Sequence, residues 1–181
     1  MIDYSNTSII KDDGAAKHLI NKTIPNISLP NQHGNSLRLD RLDTFRIVLY
    51  LFPMTGRPDR KLPLNWNKIP GAKGCTIQTC FFRDNYDKII SLNAVSIGIS
   101  TQTVEDINEM TQRLRVPYDV LSDSKLKLQT ALNLPIFSID NKHYLKRVTL
   151  IIEKKIIKKV FYPINYLDNH IDEVLKWLKE N

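Results

Sequence analysis

Sulfur is scarce in this chain, whose 181 residues include two cysteines, Cys75 and Cys80. Two thiols are too few for the disulfide framework of a small secreted domain. The four histidines stand singly along the sequence, so a closed zinc site with its four ligands is not expected. The first thirty residues contain no long apolar run, since IIKDDGAAKHLI is interrupted by charged residues. The sequence therefore predicts a soluble, cytoplasmic protein with neither a signal peptide nor a membrane-spanning helix.

The overall composition is that of an ordinary globular protein, with 42% apolar and 25% charged residues. This indicates one domain over residues 1–181, in which residues 1–12 are expected to be flexible. The net charge of +7 would permit non-specific contact with nucleic acid or an anionic surface. No nucleic-acid-binding motif accompanies that charge, so we expect a solvated basic surface, with no specific nucleic-acid partner and no membrane.

Apolar runs rich in β-branched residues alternate with helical patterns along the middle of the chain. Buried strands are expected at residues 45–52, 94–100 and 118–123. Between them, a helix is predicted over residues 76–92, and another after Thr103, which forms a capping-box-like start with Asp106. Strands that alternate with helices in this way are typical of an α/β sheet covered by helices on both faces.

The C-terminal part of the chain adds a different pattern. The stretch KRVTLIIEKKIIKKVFYP predicts two strands joined by a tight polar turn, a hairpin that adds antiparallel strands to the sheet. A closing helix follows, with Asn169 as its expected N-cap. The fold class predicted from the sequence is thus α/β, with a central mixed sheet flanked by helices and a C-terminal β-hairpin and helix.

Residues 54–74, MTGRPDRKLPLNWNKIPGAKG, do not fit this alternation. With Pro53 they hold four of the nine prolines and three of the six glycines, so we expect a long loop, and such loops are usually functional. Trp66 is expected to anchor this loop to the domain, with a substrate-facing lid as the alternative. The loop is strongly basic just before Cys75, with one acid, Asp59, against five basic residues: Arg57, Arg60, Lys61, Lys68 and Lys73.

The two cysteines are expected to differ in reactivity. If a helix begins at Thr76, Cys75 lies at its N-terminal boundary, where free N–H groups and the helix dipole favour a thiolate. We expect Cys75 to be exposed and activated, and Cys80, beside two phenylalanines, to be buried and protonated. Residues five apart in a helix rise by about 7.5 Å, beyond the roughly 7 Å limit for a disulfide. A bond between them would therefore require the first helical turn to unwind.

The run GCTIQTCFFRDNY, with the apolar strand that precedes it and the motifs IGIST, VPYDVLSD and KRVTLII after it, resembles peroxiredoxins of the Q type, also called bacterioferritin-comigratory-protein-like. The resemblance implies a thioredoxin-like fold, with Cys75 as the peroxidatic and Cys80 as the resolving cysteine. It also maps the arginine of that family onto Arg147. Gly74 and Thr76 would contribute peroxide-binding backbone groups at the helix start.

This resemblance implies a thiol-dependent peroxidase that reduces hydrogen peroxide and organic hydroperoxides. Cys75 would become a sulfenic acid, which Cys80 resolves as a disulfide, and a thioredoxin- or glutaredoxin-type reductant would recycle the disulfide. No metal, haem or flavin is expected. The protein would be a monomer or a weak homodimer.

The sequence departs from the family pattern just before Cys75. Familiar members carry a threonine or serine three residues and a proline seven residues before the peroxidatic cysteine, where this chain has Ala72 and Lys68. We interpret residues 54–74 as an insertion of a TGRP-containing subgroup. Pro53 would then keep the strand-end role, and Thr55 would supply the missing hydroxyl. Pro53 and Arg57 are further candidates for substrate binding.

Other interpretations remain open at this stage. A thiol–disulfide oxidoreductase could share the fold, although that chemistry typically uses a C-x-x-C pair. A redox sensor with little peroxidase activity is a second alternative. The cysteines could also be small core residues, and Arg147 an ordinary exposed arginine at a strand start.

Overall fold

The computed structural model of the chain describes residues 9–181. Its nine strands, in the described part, are β1 (Ser28–Pro30), β2 (Ser36–Arg38), β3 (Arg46–Leu51), β4 (Ala94–Ser100), β5 (Val120–Ser122), β6 (Ile136–Ile139), β7 (Lys142–Leu145), β8 (Val148–Glu153) and β9 (Ile156–Phe161). The α-helices there are α1 (Cys75–Asp84), α2 (Tyr86–Ser91), α3 (Val104–Leu114), α4 (Lys127–Leu132) and α5 (Leu167–Glu180).

A five-stranded mixed sheet with the order β5-β4-β3-β8-β9 forms the centre of the molecule. The strands β3, β4 and β5 run parallel to one another, whereas β8 is antiparallel to both β3 and β9. Parallel neighbours need a crossover connection, which α1, α2 and α3 supply, while β8 and β9 need only a tight turn. In that turn Lys154 and Lys155 both have positive φ. The predicted mixed sheet and C-terminal hairpin are present.

Strand β3 separates two apolar cores because its side chains alternate between the two faces of the sheet. Ile47, Leu49 and Leu51 belong to one core, which also includes Leu128 and Leu132 of α4. On the opposite face, the second core contains two further apolar side chains of β3 together with residues of α1, α2, α3 and α5: Val48, Tyr50, Phe82, Ile89, Ile107 and Val174. All six residues of β3 are buried; the run, apolar apart from Arg46, predicts this for the other five.

The observed boundaries differ from the expected ones at several points. The helix predicted over residues 76–92 is two helices, α1 and α2, because Asn85 leaves the helical conformation between them. The closing helix begins at Leu167 after Tyr166, so the prediction of Asn169 as its N-cap is wrong. The β6–β7 hairpin was not predicted, although its turn residues Asp140 and Asn141 are the types that adopt positive φ most readily.

The long loop between β3 and α1 is anchored to this hairpin. Trp66 is 3% exposed, and its ring packs edge-on against Tyr144 with ring centroids 4.9 Å apart. Phe137 of β6 lies 5.7 Å from the same ring. These contacts confirm the interpretation of Trp66 as a hydrophobic anchor.

The flexibility predicted for residues 1–12 falls mainly on residues 1–8, which lie outside the described residues. Within the described part, the backbone N–H of Ile10 donates to Asn165 Oδ1 at 2.7 Å, and its carbonyl accepts from Asn165 Nδ2 at 3.3 Å. Among the helices of residues 9–181, none is both long enough and apolar enough to cross a membrane.

Candidate active site

Cys75 is the first residue of α1, at the end of the sheet where β3 finishes. Gly74 precedes it as the N-cap, with φ of 92°, a left-handed conformation that glycine adopts without strain. A Cβ atom at Gly74 would come within 2.6 Å of Leu167 Cδ1, so glycine also permits α5 to begin against the start of α1. Because no side chain caps α1, its first N–H groups remain available to an incoming ligand.

Arg147 lies directly on the sulfur of Cys75. It stands between β7 and β8, next to Val148, which pairs with Leu51 at the end of β3. Its Nη2 donates to the Cys75 sulfur at 3.4 Å and to the carbonyl of Lys73 at 2.7 Å. With only 4% exposure, Arg147 is not the ordinary surface arginine that the sequence left as an alternative.

The guanidinium of Arg147 has no carboxylate partner among residues 9–181. Its Nη2 also donates to the carbonyl of Gly71 at 3.2 Å, and its Nη1 donates to Gln78 Oε1. All these acceptors are neutral, so the positive charge of Arg147 is not cancelled by another residue of the described chain. A positive group held this close in a buried site stabilises negative charge on the sulfur and on any oxygen that reacts with it.

The expected exposure of the two cysteines is wrong in both directions. Cys75 is buried, with 2% exposure, whereas Cys80 is partly exposed. Cys75 is covered because the loop returns over it, with the thiol donating to the carbonyl of Ala72 at 3.5 Å and Ala72 itself buried. From the sequence, nothing indicated that the basic loop would pack over the sulfur.

Cys80 belongs to the same helix, and hydrogen bonds to the residues around it hold that part of α1 in place. The hydroxyl of Tyr118 donates to the carbonyl of Thr79 at 3.2 Å and lies 3.1 Å from the hydroxyl of Tyr50. Arg83 Nη1 donates to the carbonyl of Leu114, at the end of α3, at 2.7 Å. Both cysteines are free thiols in an intact α1, so a disulfide requires local unwinding.

The structure does not bring Thr55 or Arg57 to the sulfur. Thr55 is buried, and its hydroxyl and its backbone N–H both donate to Gln102 Oε1, at 3.2 and 2.8 Å. The carbonyl of Pro53, at the end of β3, accepts a hydrogen bond from Ser100 Oγ at 2.9 Å. The TGRP element is thus tied to the end of β4, and a peroxide-aligning role for Thr55 stays a prediction.

The side chain of Arg57 is engaged at the start of α3 instead. It donates to Asp59 at 2.9 Å and to Glu105 and Asp106 at 3.2 Å. The hydrogen bond to Asp59 is the main cause that raises the pKa of Arg57. The helix dipole of α3 favours negative side chains at its N-terminus, and these acids in turn bind the guanidinium of Arg57.

Thr76, the second residue of α1, is partly buried.

Two buried polar residues near the site were not found from the sequence. Gln78, 1% exposed, contacts Arg147 directly, and its position three residues after Cys75 in a helix was the signal that could have identified it. His170 of α5 is also buried, with its Nε2 2.8 Å from the hydroxyl of Thr149. The sequence offered no signal for His170, because its partner lies on a strand 21 residues away.

Burial lowers the pKa of His170 from 6.5 to about 4, and the positive charge of Arg147 acts in the same direction. The folded protein therefore keeps His170 neutral, while the unfolded chain takes up a proton below about pH 6.5. The contribution of His170 to the free energy of unfolding is fully present at pH 7. It is lost as the pH falls from 6.5 towards 4, and the total loss is about 3 kcal/mol. We expect the free energy of unfolding in urea to be about 2 kcal/mol lower at pH 5 than at pH 7 from this residue alone.

The variant His170→Gln, which cannot titrate, should remove this part of the pH dependence. Exposed His33, changed to glutamine, is the matched control and should leave the pH dependence as in the unmodified protein. Equal slopes of stability against pH in the unmodified and His170→Gln proteins would contradict the prediction.

A cysteine at a helix start with an arginine on its sulfur, at the end of a central mixed sheet, defines a thiol-based redox protein of the thioredoxin-like fold. Comparison with known proteins agrees with that class. The family model described as Redoxin matches residues 19–175, and the chain therefore belongs to the Redoxin family.

The relatives narrow this family to one branch. The chain is 27% identical to chloroplastic peroxiredoxin Q of Populus jackii over 98% of its own length and 76% of the relative's. It is 28% identical to peroxiredoxin Bcp of Bacillus subtilis (strain 168), over 89% of this chain and 95% of that one. The Arabidopsis thaliana peroxiredoxin Q is longer, and the chain spans 64% of it.

Solved structures support the same conclusion. The crystal structure of peroxidoxin BcpB from Mycobacterium tuberculosis is similar with a TM-score of 0.74 at 25% identity, covering 89% of this chain and 96% of that one. A cysteine-to-serine mutant of PrxQ from Xylella fastidiosa shares the fold, with a TM-score of 0.72 at 19% identity, over 89% of this chain and 95% of that one. The resemblance to peroxiredoxins of the Q type is confirmed, and with it the thioredoxin-like fold; peroxiredoxins are oxidoreductases.

Proposed function

We propose that this protein is a thiol peroxidase that reduces hydrogen peroxide and organic hydroperoxides. The observation that carries the proposal is the contact of Arg147 Nη2 with the sulfur of Cys75 at the start of α1. The Cys75 thiolate attacks one oxygen of the peroxide, the O–O bond breaks, and the departing oxygen takes up a proton as water or an alcohol. Arg147 and the free N–H groups of α1 stabilise the negative charge on that departing oxygen.

In the second half of the cycle, Cys80 resolves the Cys75 sulfenic acid. The sulfur of Cys80 bonds to the sulfur of Cys75, and the sulfenic oxygen leaves as water. A thioredoxin- or glutaredoxin-type dithiol then reduces this disulfide by exchange and is itself oxidised. Two free thiols suit a reducing compartment, and we place the protein in the cytoplasm as a monomer or a weak homodimer.

The experiment that tests this function identifies the products of a single oxidation. The protein is mixed with one equivalent of hydrogen peroxide in the presence of dimedone, which traps sulfenic acids, and its peptides are identified by mass spectrometry. Unmodified sequence should yield the Cys75–Cys80 disulfide, and Cys80→Ser should yield a dimedone adduct on Cys75. A protein that ignores peroxide but exchanges quickly with protein disulfides would instead be a thiol–disulfide oxidoreductase, and one that does neither quickly would be a sensor.

Resolution requires α1 to unwind, and the hydroxyl of Tyr118 opposes this by its bond to the carbonyl of Thr79. One hydrogen bond contributes about 0.5–1.5 kcal/mol to stability, so its removal should favour the unwound state roughly 3- to 10-fold. We expect Tyr118→Phe to accelerate conversion of the sulfenic acid to the disulfide by that factor, as measured by rapid mixing and acid quench. Tyr86→Phe removes a neighbouring hydroxyl with no described hydrogen bond and is the control; equal rates in the two variants would contradict the prediction.

A further inference from the structure

We propose that Gln78 is a catalytic residue whose side-chain Nε2–H donates a hydrogen bond to the bound peroxide. This proposal rests on the peroxidase function above and adds a further side-chain donor to Arg147 and the free N–H groups of α1. Ala72 has no hydroxyl to donate, and the hydroxyl of Thr55, which the sequence suggested for this task, donates to Gln102 in the structure.

The orientation of the Gln78 amide follows from its partner. An arginine side chain has donors and no acceptor, so the atom of Gln78 that faces Arg147 Nη1 must be the oxygen. The amide nitrogen therefore lies on the side away from the guanidinium. There it is a buried donor for which residues 9–181 supply no acceptor.

An unpartnered buried donor is costly, since it has lost water without gaining a replacement. Gln78 is 1% exposed, and Cys75 is likewise buried, with 2% exposure. A donor kept in this state next to a reactive sulfur is suited to an acceptor that arrives with the substrate. A peroxide has two oxygens with lone pairs, of which Arg147 can serve one and Gln78 the other.

The position of Gln78 in the helix places it beside the reacting atom. It follows Cys75 by three residues in α1, so both side chains lie on one face of the helix. The same guanidinium joins them, with Nη2 on the Cys75 sulfur and Nη1 on Gln78 Oε1. A small molecule in contact with both the sulfur and Arg147 is therefore adjacent to the Gln78 amide.

The neutral amide also matters for the charge of the site. A carboxylate at this position would accept from Arg147 as the amide oxygen does, but it would cancel the positive charge and donate nothing. Beside the guanidinium such a carboxyl group would remain ionised. Glutamine is thus a side chain of this length that holds the arginine, preserves its charge and presents a donor.

The test compares two reactions of Cys75 in the Cys80→Ser protein. Stopped-flow mixing measures sulfenic acid formation with hydrogen peroxide, and alkylation by iodoacetamide measures the reactivity of the thiol without a peroxide. We expect Gln78→Glu and Gln78→Met each to slow the peroxide reaction roughly 100-fold, the lower end of the loss typical of one transition-state donor, with a smaller effect on alkylation. Gln129→Glu, the same chemical change in α4 on the opposite face of the sheet, should react with peroxide as the parent does.

The outcomes separate this inference from the proposed function. Parent-like peroxide rates in Gln78→Glu would overturn the inference, because that variant keeps an acceptor for Arg147 but has no donor, and its added negative charge would itself slow the reaction. An equal loss of peroxide and alkylation rates in both variants would also overturn it and would assign Gln78 a structural role. If the parent Cys80→Ser protein itself forms no sulfenic acid, the proposed function fails first.

Discussion

Replacement of Cys75 by serine should abolish peroxide consumption, with a loss of at least about 1,000-fold in the second-order rate constant. A hydroxyl at this position is a far weaker nucleophile at neutral pH than a thiol, and no other cysteine of the described chain contacts Arg147. The measurement is stopped-flow mixing with hydrogen peroxide, followed by a peroxide-specific dye. Circular dichroism should show an unchanged fold, because serine is close to cysteine in size.

Cys80→Ser is the matched control for this experiment, since it makes the same sulfur-to-oxygen change in the same helix. Its first oxidation should proceed at the parent rate, whereas turnover with a thioredoxin-type reductant should fall because no intramolecular disulfide forms. If Cys75→Ser continued to consume peroxide while Cys80→Ser did not, the assignment of the two roles would be reversed. The experiment can distinguish the two assignments because Cys80 is partly exposed whereas Cys75 is buried.

The second large effect is expected from Arg147→Met, which removes the buried charge but keeps a side chain of similar length. Loss of one donor to a developing negative charge typically costs about 100- to 1,000-fold in rate. We expect a decrease in that range for the reaction with hydrogen peroxide. Alkylation of Cys75 by iodoacetamide should fall less, because Arg147 also stabilises the departing oxygen, which alkylation does not involve.

A loss of stability alone must be distinguished from this catalytic effect. Arg46 is a suitable control, since it is also buried and bonded, to Glu153 at 2.6 Å and to the carbonyl of Leu178 at 2.8 Å. It stands at the start of β3, at the far end of the strand from Cys75. Arg46→Met should lower the midpoint of thermal unfolding and leave the peroxide rate at about 25 °C close to the parent value, and a similar rate loss in both variants would refute the role of Arg147.

Much of the fold could be predicted because its signals are local. The run from Arg46 to Leu51 reads as a strand buried on both faces, and the two lysines after Glu153 occupy the expected turn. The helix start predicted at Thr76 was wrong by only one residue, since α1 begins at Cys75 and includes Cys80. At that spacing the two thiols are expected to meet only if the helix unwinds. The break at Asn85 and the β6–β7 hairpin were missed, although the turn residues Asp140 and Asn141 of the hairpin were a local signal.

The sequence by itself determined the chemistry available to this protein: two thiols at a helix start, a basic approach to them, and an arginine before a strand. Only the tertiary structure decided which groups meet. It buried Cys75 under its own loop, turned Arg57 towards the acids of α3, and placed Gln78 and Arg147 together from positions 69 residues apart. Residue type and helical spacing are local properties of the chain, whereas burial and charge pairing depend on how distant segments pack.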